Sequence, residues 1–544
     1  MEEIFKPKII SCIKNYSKSQ LIKDIVAGII VAIIALPLSI ALALASGVNP
    51  EQGIYTAIIA GFVIALLGGS NVQISGPTAA FATIVAGIVA KNGMGGLAVA
   101  TIMAGIILIV MGLCKFGKMI KFIPFTITTG FTFGIALTLV IGQLKDFFGL
   151  TYTKSPIETL EKLEQAIVCF KTFNWQAMLI GVIALAILII CPKFLKKIPA
   201  SLIAVIFTAA IVKLFNMNVN TIGSLYEISA GLPSLSLPSV SFETVKNVLP
   251  DAFTIAILAA IESLLSCVVS DSMTGTKHNS NTELIAQGAG NICSALFGGI
   301  PATGAIARTA ANVKNGGKTP VSGIVHAIVL FIILALLIPY AQLIPMPAIA
   351  AILFVVAYNM SEWREFIHLV KTSPKSDIFI LILTFSLTVI FDLVVAIGIG
   401  IVLTAILFMA RMSAVTNIRK WTYSIEDQKN SINVPSDVFV YEISGPMFFG
   451  AADKIAELHT TDAKVVILRM SDVPALDATA VHKIQALIEK CNNKNIRLLF
   501  SHVNQQPMKV LKKAGIYKQV GSENFCSNIY VALEEAENFI NTKE

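Results

Sequence analysis

Charge is what this sequence has least of. Asp, Glu, Lys and Arg make up 14% of its 544 residues, against about 25% in an average soluble domain. The shortfall is uneven: residues 25–411 carry long apolar runs, while residues 412–544 have the composition of an ordinary soluble domain. Several runs exceed about 18 residues without a charge, which excludes a single soluble core and calls for helices that cross a bilayer. The eight cysteines are scattered with no Cys-x-x-Cys spacing, so neither a disulfide framework nor a zinc site is expected. Cys114, Cys191, Cys267 and Cys293 fall in or beside apolar runs as small packing residues. The polar part has no Gly-rich phosphate loop and no acid–base constellation, and no cofactor is expected. The net charge of +8 is explained by basic loops at a membrane rather than by nucleic acid. The segment 1–23 is charged and amphipathic and lacks the short apolar core of a cleavable leader.

The apolar runs lie at 25–46, 52–68, 78–90, 95–113, 120–142, 175–191, 199–215, 249–270, 283–298, 303–313, 320–340, 346–358, 376–391 and 393–411. That predicts about fourteen segments in an α-helical polytopic membrane protein. Those at 78–90 and 303–313 are too short to cross about 30 Å of hydrocarbon, and short Gly/Pro-interrupted segments are the mark of broken helices at a transport site. Lys115, Lys118 and Lys121 flank one connection, Lys193, Lys196 and Lys197 another. Lys314 and Lys318, then Arg364, Lys371 and Lys375, then Arg411, Arg419 and Lys420 continue on the same side if spans alternate. Positive loops face the cytoplasm, so both termini are expected there, in a multi-pass protein of the cell (inner) membrane.

ISGPTAAFATIVAG (74–87) and GGIPATGAIARTAAN (298–312) share a Pro followed by small residues and a short helix. The offset that carries Pro77 onto Pro301 also carries Leu38 onto Glu262, so span one matches span eight and span three matches span ten. Seven spans per half is an odd number, which sets the halves in opposite orientations: an inverted repeat. Beyond Arg411, 437–443, 464–470 and 496–501 are rich in β-branched residues and read as strands. Val481, Ile484, Leu487 and Ile488 recur at helical spacing, and VALEEAENFI near the end is helical. Strands alternating with helices predict a small α/β domain with a largely parallel sheet. The expected boundaries are 1–23 for a cytoplasmic segment, 24–412 for the transmembrane domain, 413–436 for a linker and 437–544 for a cytoplasmic α/β domain.

Ionisable residues inside spans cost about 2.5–3.5 kcal/mol on insertion scales and mark pathways. Arg308 follows Pro301 closely, near a helix N-terminus, where unpaired N–H groups and the helix dipole favour an anion. In an inverted repeat the helices beginning near Thr78 and near 302–305 bring their N-termini together at mid-membrane, and with the guanidinium they form an anion site. Gly76, Gly298, Gly299 and Gly304 allow close backbone approach, and Thr78 and Thr303 offer hydroxyls. Gly105, Gly112 and Gly130 read instead as helix-packing positions. Glu262 lies well inside span eight, where a carboxylate must be compensated by a proton or a cation. Ser266, one turn on, is placed to add an oxygen, so Glu262 and Ser266 form a coupling site for H⁺ or Na⁺. His326 reads as a satisfied core histidine, with a proton relay as the alternative.

Together these segments resemble the SulP family of anion transporters. The resemblance rests on DIVAGIIVAIIALPLSIALALASGVNPEQGIYTA (24–57), ISGPTAAFATI (74–84), IESLLSCVVSDSMTGTKHNSNTELIAQGAGN (261–291), GGIPATGAIARTAANVKNGGKTP (298–320) and a terminal part similar to the family's STAS module. It implies fourteen spans in a seven-plus-seven inverted repeat, core and gate domains moving as an elevator, and a homodimer. It places the anion site on Thr78 and Ala79 of the broken helix, on Ala307 and Arg308, and on span one near Leu38 and Leu42. The coupling carboxylate falls on Glu262. Sulfate-carrying relatives often have Gln at the position of Leu38, and many relatives have Ser at that of Ala307; both departures remove side-chain donors. The LPLS segment is closer to bacterial relatives that carry bicarbonate or dicarboxylates. In LDATA (476–480), Ala478 stands where related soluble STAS proteins carry a phosphorylated Ser, with Thr479 a weak substitute. The implied function is symport of a small inorganic or carboxylate anion with H⁺ or Na⁺, not enzymatic. A nucleobase symporter of the same fold would need an acid in the tenth helix, where Arg308 stands; a membrane sensor that binds without turnover is the third reading.

Overall fold

A computed structural model describes residues 5–542 apart from 14–15, 119–123, 155, 157, 195–198, 227–232, 392, 422–424, 428–429 and 433. Lys121, Lys196 and Lys197 of the expected basic loops, and part of the expected linker, lie outside the described residues. The chain divides into two compact units, Met1–Ile401 and Val402–Glu544.

The first unit is helical. A short α1 (Lys8–Ile13) precedes α2 (Lys18–Ala45) and α3 (Pro50–Leu67). Ser17 caps α2 by accepting from Gln20 N, and Asn49–Pro50 opens α3 with Gln52 Oε1 accepting from Asn49 N, a local start signal readable in the sequence. The chain then forms a two-residue strand, β1 (Ser75–Gly76), and enters α4 (Ala79–Leu113). Gly93 interrupts α4 at φ 65° and ψ −175°, so the runs expected at 78–90 and 95–113 are two helices joined through a glycine that alone tolerates this conformation. Next come α5 (Phe125–Phe148), α6 (Thr159–Val168), α7 (Trp175–Phe194), α8 (Ala200–Leu214) and α9 (Ile222–Leu225). They are followed by α10 (Phe242–Thr274), α11 (Ser280–Leu296), the strand β2 (Thr303–Gly304) and the nine-residue α12 (Ile306–Lys314). The series ends with α13 (Val321–Ala341), α14 (Met346–Met360), α15 (Trp363–Thr372), α16 (Lys375–Ile390) and α17 (Leu393–Val415), which runs into the second unit.

A helix thus occupies each apolar run, and among the described residues 8 helical stretches are long and apolar enough to cross a membrane. Their burial separates inside from outside. The apolar windows of α3 and α10 are 67% buried within the protein, against 28% for α7. Leu179, Val182, Ile189 and Ile190 of α7 are exposed, as residues that face lipid rather than water must be. The two largest apolar clusters of the interior join α2, α3, α8 and α14 in one case and α4, α5 and α10 in the other. Asp24 is fully buried near the start of α2. It accepts from Tyr16 (2.8 Å), Lys318 N (2.8 Å) and Thr319 Oγ1 (2.6 Å), which ties α2 to the turn before α13.

In the second unit β3 (Asn417–Lys420) leads, past a small hairpin of β4 (Ile425–Asp427) and β5 (Asn430–Ile432), to β6 (Val438–Ser444) and α18 (Phe449–Ala456). Then follow β7 (Val465–Asp472), α19 (Ala478–Asn493), β8 (Arg497–Ser501), α20 (Gln505–Lys513) and α21 (Ile516–Val520). The chain closes with β9 (Phe525–Cys526) and α22 (Ile529–Asn541). The sheet order is β3-β6-β7-β8-β9, parallel throughout except for β3. Alternation along β7 sends Val466, Leu468 and Met470 to one apolar layer and Val465 and Ile467 to the other, the pattern of a sheet covered on both faces. Asp477 caps α19, accepting from Ala480 N (2.8 Å), and its second oxygen accepts from Phe449 N (2.8 Å). Ala478 is exposed in the first turn.

The glycines expected at helix contacts are there. A Cβ on Gly112 would meet Ile285, one on Gly130 would meet Leu381 O, and one on Gly105 would lie 2.6 Å from Gly288 O. Packing this close is what glycine permits between membrane helices. Gly288→Val should therefore force α4 and α11 apart and destabilise the protein by about 1–3 kcal/mol. Thermal unfolding of the detergent-solubilised variant, followed by tryptophan fluorescence, checks this; an unshifted midpoint would show that the contact is not tight.

Candidate functional site

The two broken elements meet. β1 pairs antiparallel with β2, Ser75 opposite Gly304 and Gly76 opposite Thr303. Each strand runs straight into a helix, β1 through Thr78 into α4 and β2 through Ala305 into α12. Because the strands are antiparallel, the helices leave the ladder in opposite directions with their unpaired N–H groups at its two ends. Two residues per strand satisfy few backbone groups, and side chains serve the rest. Asn291 donates to Ala302 O (2.8 Å) and accepts from Ala302 N (2.9 Å). Thr56 Oγ1 accepts from Ile300 N (2.7 Å), Thr309 Oγ1 accepts from Ile74 N (3.0 Å), and Asn312 donates to Val72 O (2.9 Å).

Arg308 lies in the first turn of α12 and is 2% exposed. Its Nη2 donates to Pro77 O at 2.6 Å, so it is anchored to the residue that starts the other broken helix. Its Nε and Nη1 have no hydrogen-bond partner among the described residues. A Cβ on Gly76 would sit 2.5 Å from Nη1, so a side chain there would displace the guanidinium. Thr78, the residue that precedes α4, donates to Glu262 Oε2 at 2.9 Å. Thr303 donates to Ala259 O (3.1 Å), one turn before Glu262. A guanidinium with two free donors, two helix N-termini and a carboxylate held by one of them therefore lie together. An anion completes such an arrangement chemically, because every free group of Arg308 is a donor.

The remaining expected residues are distributed as follows. Leu42 and Ala79 are buried in one apolar cluster, with Leu38 packed against it. Leu38 also borders an apolar cavity of about 750 Å³ with Leu185, Leu188 and Phe354. Ala307 is exposed beside the buried Arg308. Ser266 donates to Thr309 Oγ1 at 3.4 Å, so its hydroxyl is directed at α12. His326, expected to be satisfied, is fully buried with both ring nitrogens unpartnered among the described residues. Cys114, expected to pack, is exposed. No group of three or more His, Cys, Asp or Glu residues able to hold a metal occurs among the described residues.

Sequence reasoning passed over the buried polar stripe of α11. Glu283, Gln287 and Asn291 are all fully buried, spaced four apart on one helix face. That spacing within an otherwise apolar run was the available signal.

The sulfate permease family matches residues 21–384, and the STAS domain matches residues 430–536. A putative sulfate transporter of Bacillus subtilis (strain 168), YvdB, is 40% identical over 519 residues, covering 94% of this chain and 97% of that protein. The bicarbonate transporter BicA of Picosynechococcus sp. is 33% identical over 538 residues, covering 94% of each. The solved transmembrane domain of a cyanobacterial BicA, 34% identical, covers 70% of this chain and 98% of that one with a TM-score of 0.63. SLC26A9 has the same fold, with a TM-score of 0.86 over 98% of this chain at 19% identity. Two crossed half-helices around a buried arginine, a polytopic helical unit and a following α/β unit thus belong to a multi-pass anion transporter, not an enzyme: the chain is a member of the sulfate permease family with a C-terminal STAS domain.

Proposed function

We propose that the protein carries out secondary active transport of a small oxyanion, of the sulfate, bicarbonate or dicarboxylate class, coupled to H⁺ or Na⁺. The observation that carries this reading is Arg308, buried and anchored to Pro77 with two donors free. The relatives named for sulfate and for bicarbonate bracket the substrate class. Leu38 and Ala307 offer no side-chain donors, so the anion is held by Arg308, Thr78 and backbone N–H groups at Ala79 and at the start of α12. Such a site suits a compact oxyanion that accepts from several directions.

Coupling runs through Glu262. The carboxylate takes the Thr78 hydroxyl proton as a hydrogen bond and repels an anion at the same place. A proton or Na⁺ on Glu262 removes the repulsion and frees Thr78 to donate to the anion. Anion and cation then favour each other's binding, which is the linkage symport needs. The loaded core, carrying both half-helices, moves against the gate helices as an elevator. The protein sits in the cell membrane as a homodimer, with 24–412 as the transport domain, 413–436 as a linker, 437–544 as the STAS domain and both termini in the cytoplasm.

Arg308→Gln should weaken anion binding about tenfold to a hundredfold, the value of hydrogen bonds to a charged donor, with the protein still folded. Equilibrium binding of labelled sulfate, competed by bicarbonate, measures it; unchanged affinity would remove Arg308 from the site. Glu262→Gln mimics the protonated acid. It should preserve anion exchange and abolish accumulation driven by the cation gradient in proteoliposomes at fixed membrane potential. A pH gradient and a Na⁺ gradient imposed separately identify the ion, and wild-type accumulation by the variant would exclude Glu262 from coupling.

A further inference from the structure

A second carboxylate lies buried behind the crossing. Glu283 of α11 is fully buried and gathers three N–H donors. Gln73 Nε2 donates to Oε1 at 2.9 Å, Gln287 Nε2 to the same oxygen at 2.8 Å, and Gly69 N to Oε2 at 2.9 Å. The consequential partner is Gln73. Its Nε2 also lies 3.2 Å from Ser263 O, the carbonyl of the residue after Glu262. Its Oε1 accepts from Cys267 Sγ at 3.3 Å, one turn further along α10. A Cβ on Gly304 would collide with the same amide nitrogen, so the Gln73 amide is packed flat against β2. Two residues later the chain is β1. One amide group therefore touches α10 beside Glu262, abuts β2 and leads into β1.

An amide has two ends that are nearly equal in size, and only its partners decide which way it faces. Ser263 O accepts the NH₂ end and Cys267 offers a weak thiol donor to the carbonyl end. Glu283 is the strong acceptor that makes the NH₂ end the one facing α11 and Ser263. If the amide turned over, its oxygen would face Ser263 O and the Glu283 carboxylate, putting an acceptor against two acceptors that the NH₂ end now serves.

We infer that Glu283 is a positioning residue for the anion site: by fixing the orientation of the Gln73 amide it sets the spacing of β1, β2 and Glu262. The inference rests on the anion site proposed above. Glu283 does not touch the anion; it acts through Gln73.

The test uses the full chain in proteoliposomes, with labelled sulfate as the probe and bicarbonate as competitor. Glu283→Gln removes the charge and replaces one acceptor oxygen by a donor, which opposes either the Gln73 and Gln287 amides together or Gly69 N. Gln73→Leu removes the clamp and leaves the carboxylate in place. Each should raise the half-saturating sulfate concentration about tenfold with the maximal rate per folded molecule within about twofold, since a change in half-saturation at constant maximal rate reports binding. Because both act through one contact, the double variant should be no weaker than either single one. Additive losses, or a loss of folded protein with half-saturation unchanged, overturn the positioning role. Should Glu283→Gln fail to fold, Gln73→Leu decides alone. Affinity unchanged in the Glu283 and Gln73 variants while Arg308→Gln abolishes it overturns this inference and leaves the anion site standing; affinity unchanged in all three overturns both.

Discussion

The rest of the structure depends on one constraint: backbone that is neither helix nor closed sheet has no water to bond with inside a bilayer. Breaking a span before α4 and another before α12 leaves N–H and C=O groups of residues 72–78 and 300–305 without helical partners. The two strands satisfy four residues between them. Thr56, Asn291, Thr309 and Asn312, from three helices, take up several of the others. Those side chains have to be close, and that in turn demands the glycine contacts that let α4 approach α11. Small residues at the helix contacts and polar residues at the centre are thus two consequences of one pair of breaks.

Within this satisfied shell, the exceptions carry meaning. A buried donor without a partner costs about 1–3 kcal/mol, more when charged, so a protein rarely keeps one unless something binds there. Arg308 keeps two among the described residues, beside the unpaired N–H groups at the starts of α4 and α12. His326 keeps both of its nitrogens unpartnered among the described residues, close enough to the crossing that a Cβ on Gly61 would reach both Ser75 O and its Nδ1. Arg308 and His326 are thus two such groups near β1, alongside single unpartnered side-chain atoms elsewhere, such as those of Thr129 and Thr384.

What was legible in the sequence follows from cost. Charges inside spans are expensive, so Glu262 and Arg308 stand out in any reading. Pro and Gly break helices, so the interruptions near Pro77 and Pro301 could be located to within a few residues. The strands at 437–443, 464–470 and 496–501 are recognisable because β-branched residues cluster there, and they became β6, β7 and β8. Neutral polar residues were harder. Gln73, Gln287 and Asn291 only dilute an apolar run, and nothing local says whether they face lipid, a helix neighbour or a loop. Ser266 has the right helical spacing to Glu262, but spacing along one helix does not reveal that Thr309 of another is the nearer partner. The strands β3 and β9, of four and two residues, are too short for periodicity to register and exist only because β6 and β8 offer edges to pair with.

The missing donors at Leu38 and Ala307 acquire a physical sense once the crossing is in view. A site made of side-chain donors discriminates by their placement, whereas one made of backbone N–H groups and a single guanidinium discriminates mainly by charge and size. Here Ala79 opens α4 and Ala307 lies in the first turn of α12 after Ile306, both with the smallest side chain that still favours a helix, and Leu38 turns an apolar surface toward a cavity it shares with α7 and α14. Under the anion site proposed above, selectivity rests on how far apart the two helix starts are held, a distance set by β1, β2 and the residues that bond to them. In the site proposed above, the buried polar scaffold takes over the role that donor side chains have elsewhere, and substitutions behind the strands are expected to change what is bound as well as substitutions in front of them.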